Sequence, residues 1–194
     1  MNKILLFILL LSSEFLMAQT DDYYYEIPDY PAAYTATTVV ARMVDGLGFR
    51  YYWATKDLRA EDLAFKPSDE ARTCEETINH ILGLTDVVLN SVKNLPNTGQ
   101  NLTEGMSFAE KRAETLARIK EASEILKQAD ANALDQYQIV FQRSTGSSEF
   151  PFWNQINGPI SDALWHVGQV VTFRRSSGNP INSKASFLSG KVRE

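Results

Sequence analysis

The chain is short of the residues on which many familiar chemistries depend. It has one cysteine, Cys74, which excludes an intrachain disulfide and any zinc finger. It has two histidines, His80 and His166, so imidazole chemistry must use one or both. Basic residues are outnumbered by acidic ones, 19 to 24, for a formal charge of −5. No basic stripe is available to track a phosphate backbone, and nucleic acid is therefore not an expected partner. No apolar run is long enough to span a bilayer, so no transmembrane segment is expected in the mature protein. There is no internal repeat and no low-complexity tract. What is present is ordinary globular composition, 44% hydrophobic and 22% charged, over 194 residues. That is one domain, or one domain with a tail, with enough chain to bury a sizeable core.

The first eighteen residues read as an address. Lys3 supplies a positive start, Ile4 to Leu11 is an apolar run, and Ala18 offers a small residue before Gln19. This order is that of a secretory signal peptide, and the expectation is export, to a periplasmic or secreted location, with cleavage after Ala18. Lys3 and Glu14 leave together, so the net charge does not change. Residues 19–32 are acidic and aromatic, with Tyr23, Tyr24, Tyr25 and two prolines. They read as an extended arm lying on the domain or on a second subunit, or as a loose terminus.

Residues 33–194 carry four amphipathic segments. The first runs from about Ala33 to Leu58, with Val40, Val44, Leu47, Tyr51 and Ala54 at three- and four-residue spacing. Gly46 and Gly48 lie inside it, each at a cost of roughly 1 kcal/mol of helix propensity, and close packing against a neighbour would be the reason to keep them. The second opens on a capping box, Thr73 with Glu76, and the third on another, Ser107 with Glu110. Tyr137 to Gln142 is short and partly β-branched, an extended segment, and the aromatic loop Phe150–Trp153 follows. The last helix is expected to open at Gly158-Pro159 and to end at Gly178, with Pro180 beyond. The tail after Asn182 could add a last turn of helix. The fold class is all-α, an up-and-down four-helix bundle.

The residues that could carry chemistry fall at one edge of this core. At 100° per residue, Asp162, His166, Gln169 and Phe173 sit beside the apolar arc of the last helix. Asp162 and His166 are four apart, so their Cβ atoms lie about 5–6 Å from each other on one face. His80 falls on the flank of the apolar arc of the second helix. An ionised carboxylate near an apolar face is costly unless paired, and a divalent ion held by two imidazoles and one carboxylate would meet that cost while leaving positions open. Zinc or nickel suits imidazole best, with iron or manganese as alternatives. Taken singly, His80 is a core histidine and Asp162 a first-turn carboxylate on the helix dipole. Gln169 could orient a water or a substrate. Trp153 and Asn154 precede this helix and could line the mouth of the site. Cys74, at the start of the second helix, is either a thiol of lowered pKa or a plain buried one.

Trp165-His166-Val167-Gly168-Gln169, followed by Phe173-Arg174 and the Gly178-Asn179-Pro180 end, resembles the last core helix of the DinB-like (DinB/YfiT) superfamily. Thr73 to Leu84, around Asn79-His80-Ile81, is similar to that family's second helix, and Phe65-Lys66-Pro67 to the loop before it. The resemblance covers residues 33 to 180. It implies a four-helix bundle, often dimeric, with a three-histidine metal site. His80 matches the first ligand and His166 the third, while the second position holds Asp162, a departure that implies either a two-histidine, one-carboxylate centre or a lost one. The family's known activities are thiol-dependent transferases and isomerases. An exported protein would not meet the cytoplasmic thiol pool, so the expectation here is a metal-dependent hydrolase or transferase acting on an unknown small molecule. The alternative is a non-catalytic cell-envelope protein used for binding or assembly.

Overall fold

A computed structural model of the protein describes residues 22–194. The expected leader, residues 1–18 with its cleavage point, lies outside the described residues, as does the start of the arm. Among the described residues there are five α-helices of at least five residues: α1 (Ala36–Thr55), α2 (Ala60–Ala64), α3 (Cys74–Val92), α4 (Phe108–Gln128) and α5 (Ser161–Ser176). No helix among them is long and apolar enough to cross a membrane.

The helix starts follow from local chemistry. Thr73 Oγ1 accepts from Glu76 N at 3.1 Å, and the Glu76 carboxylate takes the Thr73 N–H at 2.7 Å. Ser107 and Glu110 do the same for α4. A third capping box, Thr35 with Thr38, opens α1; it has threonine where the usual pattern has Glu or Gln, and so gives no sequence signal. The helix expected over Ala33–Leu58 is shorter than that, because Thr35 caps it and the chain turns out through Asp57, which has a φ of +59°.

α1 packs on α4 and α5, and α3 packs on α4 and α5, which makes a closed ring of four. The core between them is built from Val44, Leu47 and Tyr51 of α1, Ile78 and Ile81 of α3, Leu116, Ile119 and Leu126 of α4, and Val167 and Val170 of α5, all nearly fully buried. The expected up-and-down alternation is corrected by the ion pairs between helices. Glu75 and Asp86 of α3, and Lys93 at its C-terminal cap, meet Lys111, Arg118 and Glu121 of α4, in that order. Both sequences ascend, so α3 and α4 run parallel. Asp45 of α1 meets Lys127, and Thr55 meets Arg112, so α1 and α4 are antiparallel. The connection from Lys93 to Ser107 makes the parallel step feasible. Fifteen residues reach up to ~50 Å extended, whereas the 19-residue α3 is only ~28 Å long.

The structure is not purely helical. Strand β1 (Gln138–Arg143) pairs antiparallel with β2 (Gly146–Pro151), from Gln138↔Pro151 to Arg143↔Gly146. The extended segment read from the sequence is therefore one half of a hairpin, and the aromatic loop is partly strand. Asn97, in the return from α3, binds Val140 and Gln142 of this hairpin. At the C-terminus β3 (Ala185–Ser186) pairs with β4 (Lys191–Val192) where a last helical turn was expected. The arm holds this pair in place. Ile27 N donates to Gly190 O at 2.8 Å, and Glu26 accepts from Val192 N and pairs with Lys191.

Over residues 22–34 the arm lies on its own domain. Tyr24 is 1% exposed and donates to Asp45 Oδ1 at 3.1 Å. Its ring occupies the place of a side chain at Gly48, where a Cβ would come within 2.5 Å of the ring carbons. Gly46 has a different setting, with only the Arg50 guanidinium close by.

Candidate metal centre

α3 and α5 run antiparallel, since Gln155, ahead of α5, donates to Val87 O, while His80, two turns earlier on α3, meets Asp162. The sequence between hairpin and helix sets that register. Trp153–Gln155 forms one turn, and Ile156–Ile160 is a wide π-type turn with non-helical backbone at Gly158 (φ −100°, ψ −110°) before Pro159. Regular helix then begins at Ser161, three residues after the expected Gly158 start, and places Asp162 in its first turn. At the other end Gly178, with φ +82°, reverses the chain as expected.

The structure brings His80, Asp162 and His166 together. His80 Nε2 lies 3.3 Å from Asp162 Oδ2, and His166 Nε2 lies 3.3 Å from Asp162 Oδ1. The two imidazole rings meet edge to face, with centroids 4.6 Å apart. One donor atom from each of the three residues falls within 4.8 Å of the others. His166 Nδ1 is 2.8 Å from Gln169 Oε1. With that oxygen accepting, Nδ1 carries the proton and Nε2 keeps its lone pair, the tautomer a metal ligand needs. Burial, followed by the nearby His166 and Arg72, holds the His80 imidazole below its usual pKa, against the pull of Asp162. A neutral His80 likewise keeps a lone pair for coordination.

The donor set fits a divalent ion. With Nδ1 protonated, His166 turns a lone pair toward the carboxylate, a conflict that a shared cation or an added proton relieves, while His80 Nε2 either donates to Asp162 Oδ2 or, in its other tautomer, offers a lone pair there. Two ligand atoms bound at ~2.0–2.1 Å with tetrahedral angles lie about 3.3–3.4 Å apart; here each imidazole nitrogen stands 3.3 Å from a different oxygen of Asp162, so a shared ion requires the carboxylate to turn one oxygen toward both, among donor atoms already within 4.8 Å of one another. Side-chain exposures of 35% for His80, 37% for Asp162 and 14% for His166 leave one side open to solvent.

The other sequence candidates sit elsewhere. Trp153 and Asn154 belong to the turn before the π-type segment, and Trp153, 77% exposed, lines a separate hollow with Tyr137 and Phe152. Glu76 is committed to its cap, whose hydrogen bonds hold its carboxyl below the ordinary range. Cys74 is fully buried, and burial pushes its thiol up to about 12 rather than lowering it. Arg174 binds Asn179 just past its own helix and reaches across to a neighbouring one. Buried at 3% exposure, its Nη1 donates to the carbonyls of Trp53, Ala54 and Lys56 at 2.9–3.0 Å, closing the C-terminus of α1. Arg72, whose charge acts on His80, belongs to no sequence motif.

The fold is DinB-like. Among solved structures, the crystal structure of a DinB-like protein, YjoA, from Bacillus subtilis matches with a TM-score of 0.50 at 14% identity, over 71% of this chain and 92% of that one. No family model and no curated protein matches the chain. The likeness to the Bacillus protein speaks to fold.

Proposed function

We propose that the protein is an exported, metal-dependent enzyme on a DinB-like four-helix bundle, a hydrolase or transferase acting on a small molecule. The observation that carries this reading is the convergence of His80, Asp162 and His166 from two helices onto one point at the rim of the core. These three residues would hold zinc or nickel, with iron or manganese as alternatives. When bound, a divalent ion supplies Lewis acidity toward a carbonyl or phosphoryl oxygen. The chain's own groups do the rest. Gln169 orients the His166 ring through Nδ1, His80 stays neutral, and the open side formed at His80 and Asp162 admits the substrate. A homodimer, without nucleic acid, completes the reading.

One observation favours the second reading, a non-catalytic envelope protein with a structural or degenerate metal site. The hollows around Trp153, Arg112, Asn97, Leu188 and Asn182 are all lined by other residues, and His80, Asp162 and His166 line none of these. Calorimetric titration of metal-stripped protein with zinc and nickel tests the site, with one ion per chain expected and loss of binding in His80→Ala. Absence of binding in the wild type overturns the centre. Chromogenic ester, amide and phosphoester panels, with and without chelator, separate the two readings. Metal binding with no turnover on any of them supports the non-catalytic one.

A further inference from the structure

A hollow lined by none of the three metal-centre residues lies at the base of the hairpin. The pairing Gln138↔Pro151 closes the base of the hairpin, so the flanking residues Tyr137 and Phe152 stand side by side, with ring centroids 6.1 Å apart. The turn Ala133–Asp135, the start of α1 at Ala36 and the indole of Trp153 complete the walls of a hollow of 270 Å³. Its floor is apolar, with Phe152 only 4% exposed, but Trp153 stands 77% exposed at its rim. An exposed aromatic alone is ordinary, but this one lines a hollow together with two further rings, Tyr137 and Phe152.

The rest of the lining is polar in a particular way. Asn132, Asp135 and Gln138 line it beside the aromatic groups; all three are exposed, and their side chains hydrogen-bond to no other described residue, which leaves them to water or to a ligand. Together they offer two amides, each both donor and acceptor, and one carboxylate acceptor. No lysine or arginine among the described residues lines the hollow, so a phosphate-bearing ligand finds no counter-charge there. The lining carries one carboxylate, Asp135, and includes Ala36 at the start of α1. A flat aromatic face ringed by unengaged donors and acceptors suits a neutral ring that has an apolar face and polar edges.

We propose that this hollow binds a neutral sugar, with a pyranose ring stacked on Trp153 and its hydroxyls held by Asn132, Asp135 and Gln138. The site discriminates by hydroxyl pattern, because polar groups matched to hydroxyls are left unpaired by an analogue that lacks them.

The test uses the whole chain and three trisaccharides, maltotriose, cellotriose and chitotriose, titrated by tryptophan fluorescence and by NMR of the side-chain amides and indoles. At least one is expected to bind and to move the signals of Trp153, Asn132 and Gln138. Trp153→Ala, at an exposed position, should weaken binding about tenfold or more, and Asp135→Asn should weaken it several-fold. Trp165→Ala, which removes another exposed indole, and His80→Ala should leave it unchanged. The proposal is overturned if none of the three sugars binds or if Trp153→Ala binds as well as wild type. It is also overturned if benzyl alcohol, an aromatic ring without the polyol edge, binds as tightly as the best sugar, which would mark a plain apolar slot.

Discussion

Replacing Asp162 with alanine separates a metal ligand from an ordinary helix-end carboxylate. In the metal-free protein Asp162 lies in the first turn of α5, partly exposed, with an imidazole 3.3 Å from each oxygen. Its removal there costs a first-turn carboxylate and partly solvated contacts, together about 0.3–1 kcal/mol. With metal present the effect is larger. An ion at one hundred times its Kd stabilises the folded wild type by about 2.7 kcal/mol. For a chain of this size that raises Tm by about 5–11 °C, at roughly 2–4 °C per kcal/mol. Losing one of three protein ligands and a negative charge should weaken affinity at least ~100-fold. At the same metal concentration the variant then gains only about 0.4 kcal/mol, a shift of ~1–2 °C. Thermal melts of both proteins, with chelator and with zinc or nickel, read these numbers directly. An equal metal-induced shift in wild type and variant would refute the assignment of Asp162 and leave two histidines too few for the proposed centre.

Other perturbations probe the scaffold. Arg174→Lys should lower stability by about 3 kcal/mol, since an ammonium cannot reach three α1 carbonyls and Asn179 together; urea melts check it, and a loss under 0.5 kcal/mol contradicts the capping role. Gly48→Ala in an open helix would stabilise by ~1 kcal/mol, but here it must displace the Tyr24 ring and should cost ~1–3 kcal/mol net. In a Tyr24→Ala background the same change should turn favourable, which tests the seat of the arm. Alkaline pH should destabilise the fold. Burial holds Cys74 and Tyr51 up to about 12, against ordinary values of 9.0 and 10.0. Above pH 9 the unfolded chain loses protons that the folded chain retains, so stability falls between pH 9 and 12. Melts across that range should show the decline, shallower in Cys74→Ser, and the native thiol should resist alkylation at pH 8 until denaturant is added.

The helices were legible where local chemistry decides them. The boxes Thr73–Glu76 and Ser107–Glu110 are written in four residues each, and both α3 and α4 begin there. Direction was not legible. An amphipathic stripe faces a core equally well whether its helix points up or down, so only the cross-helix pairs, such as Glu75–Lys111 and Asp86–Arg118, reveal that α3 and α4 are parallel. The length of the 93–107 connection permits that arrangement without requiring it. The small sheets escaped for a related reason. β2 is exposed along its whole length and has no apolar pattern of its own, so its pairing partner defines it. The 185–192 pair depends on Glu26 and Ile27, more than 150 residues away in sequence.

The site divides in the same way. Helical spacing alone stacks Asp162 on His166, but only the antiparallel packing of α3 on α5 adds His80. Trp153 and Asn154 lie in the turn before the π-type segment at Gly158, and Trp153 lines a hollow that includes none of the three metal-centre residues. Asp162 itself departs from the three-histidine pattern that the resemblance implies, and its position shows why the departure is tolerable. The N-terminus of a helix favours negative charge and disfavours an imidazolium, so a carboxylate in the first turn of α5 is stable there before any ion arrives. Two neutral imidazoles and one carboxylate around a divalent ion leave a net charge of about +1 instead of the +2 of three imidazoles. Such a centre would draw electrons less strongly from a bound oxygen and would accept harder cations more readily. Iron and manganese therefore belong beside zinc and nickel in any metal screen of this protein, and their rank order would report whether Asp162 sets the character of the site.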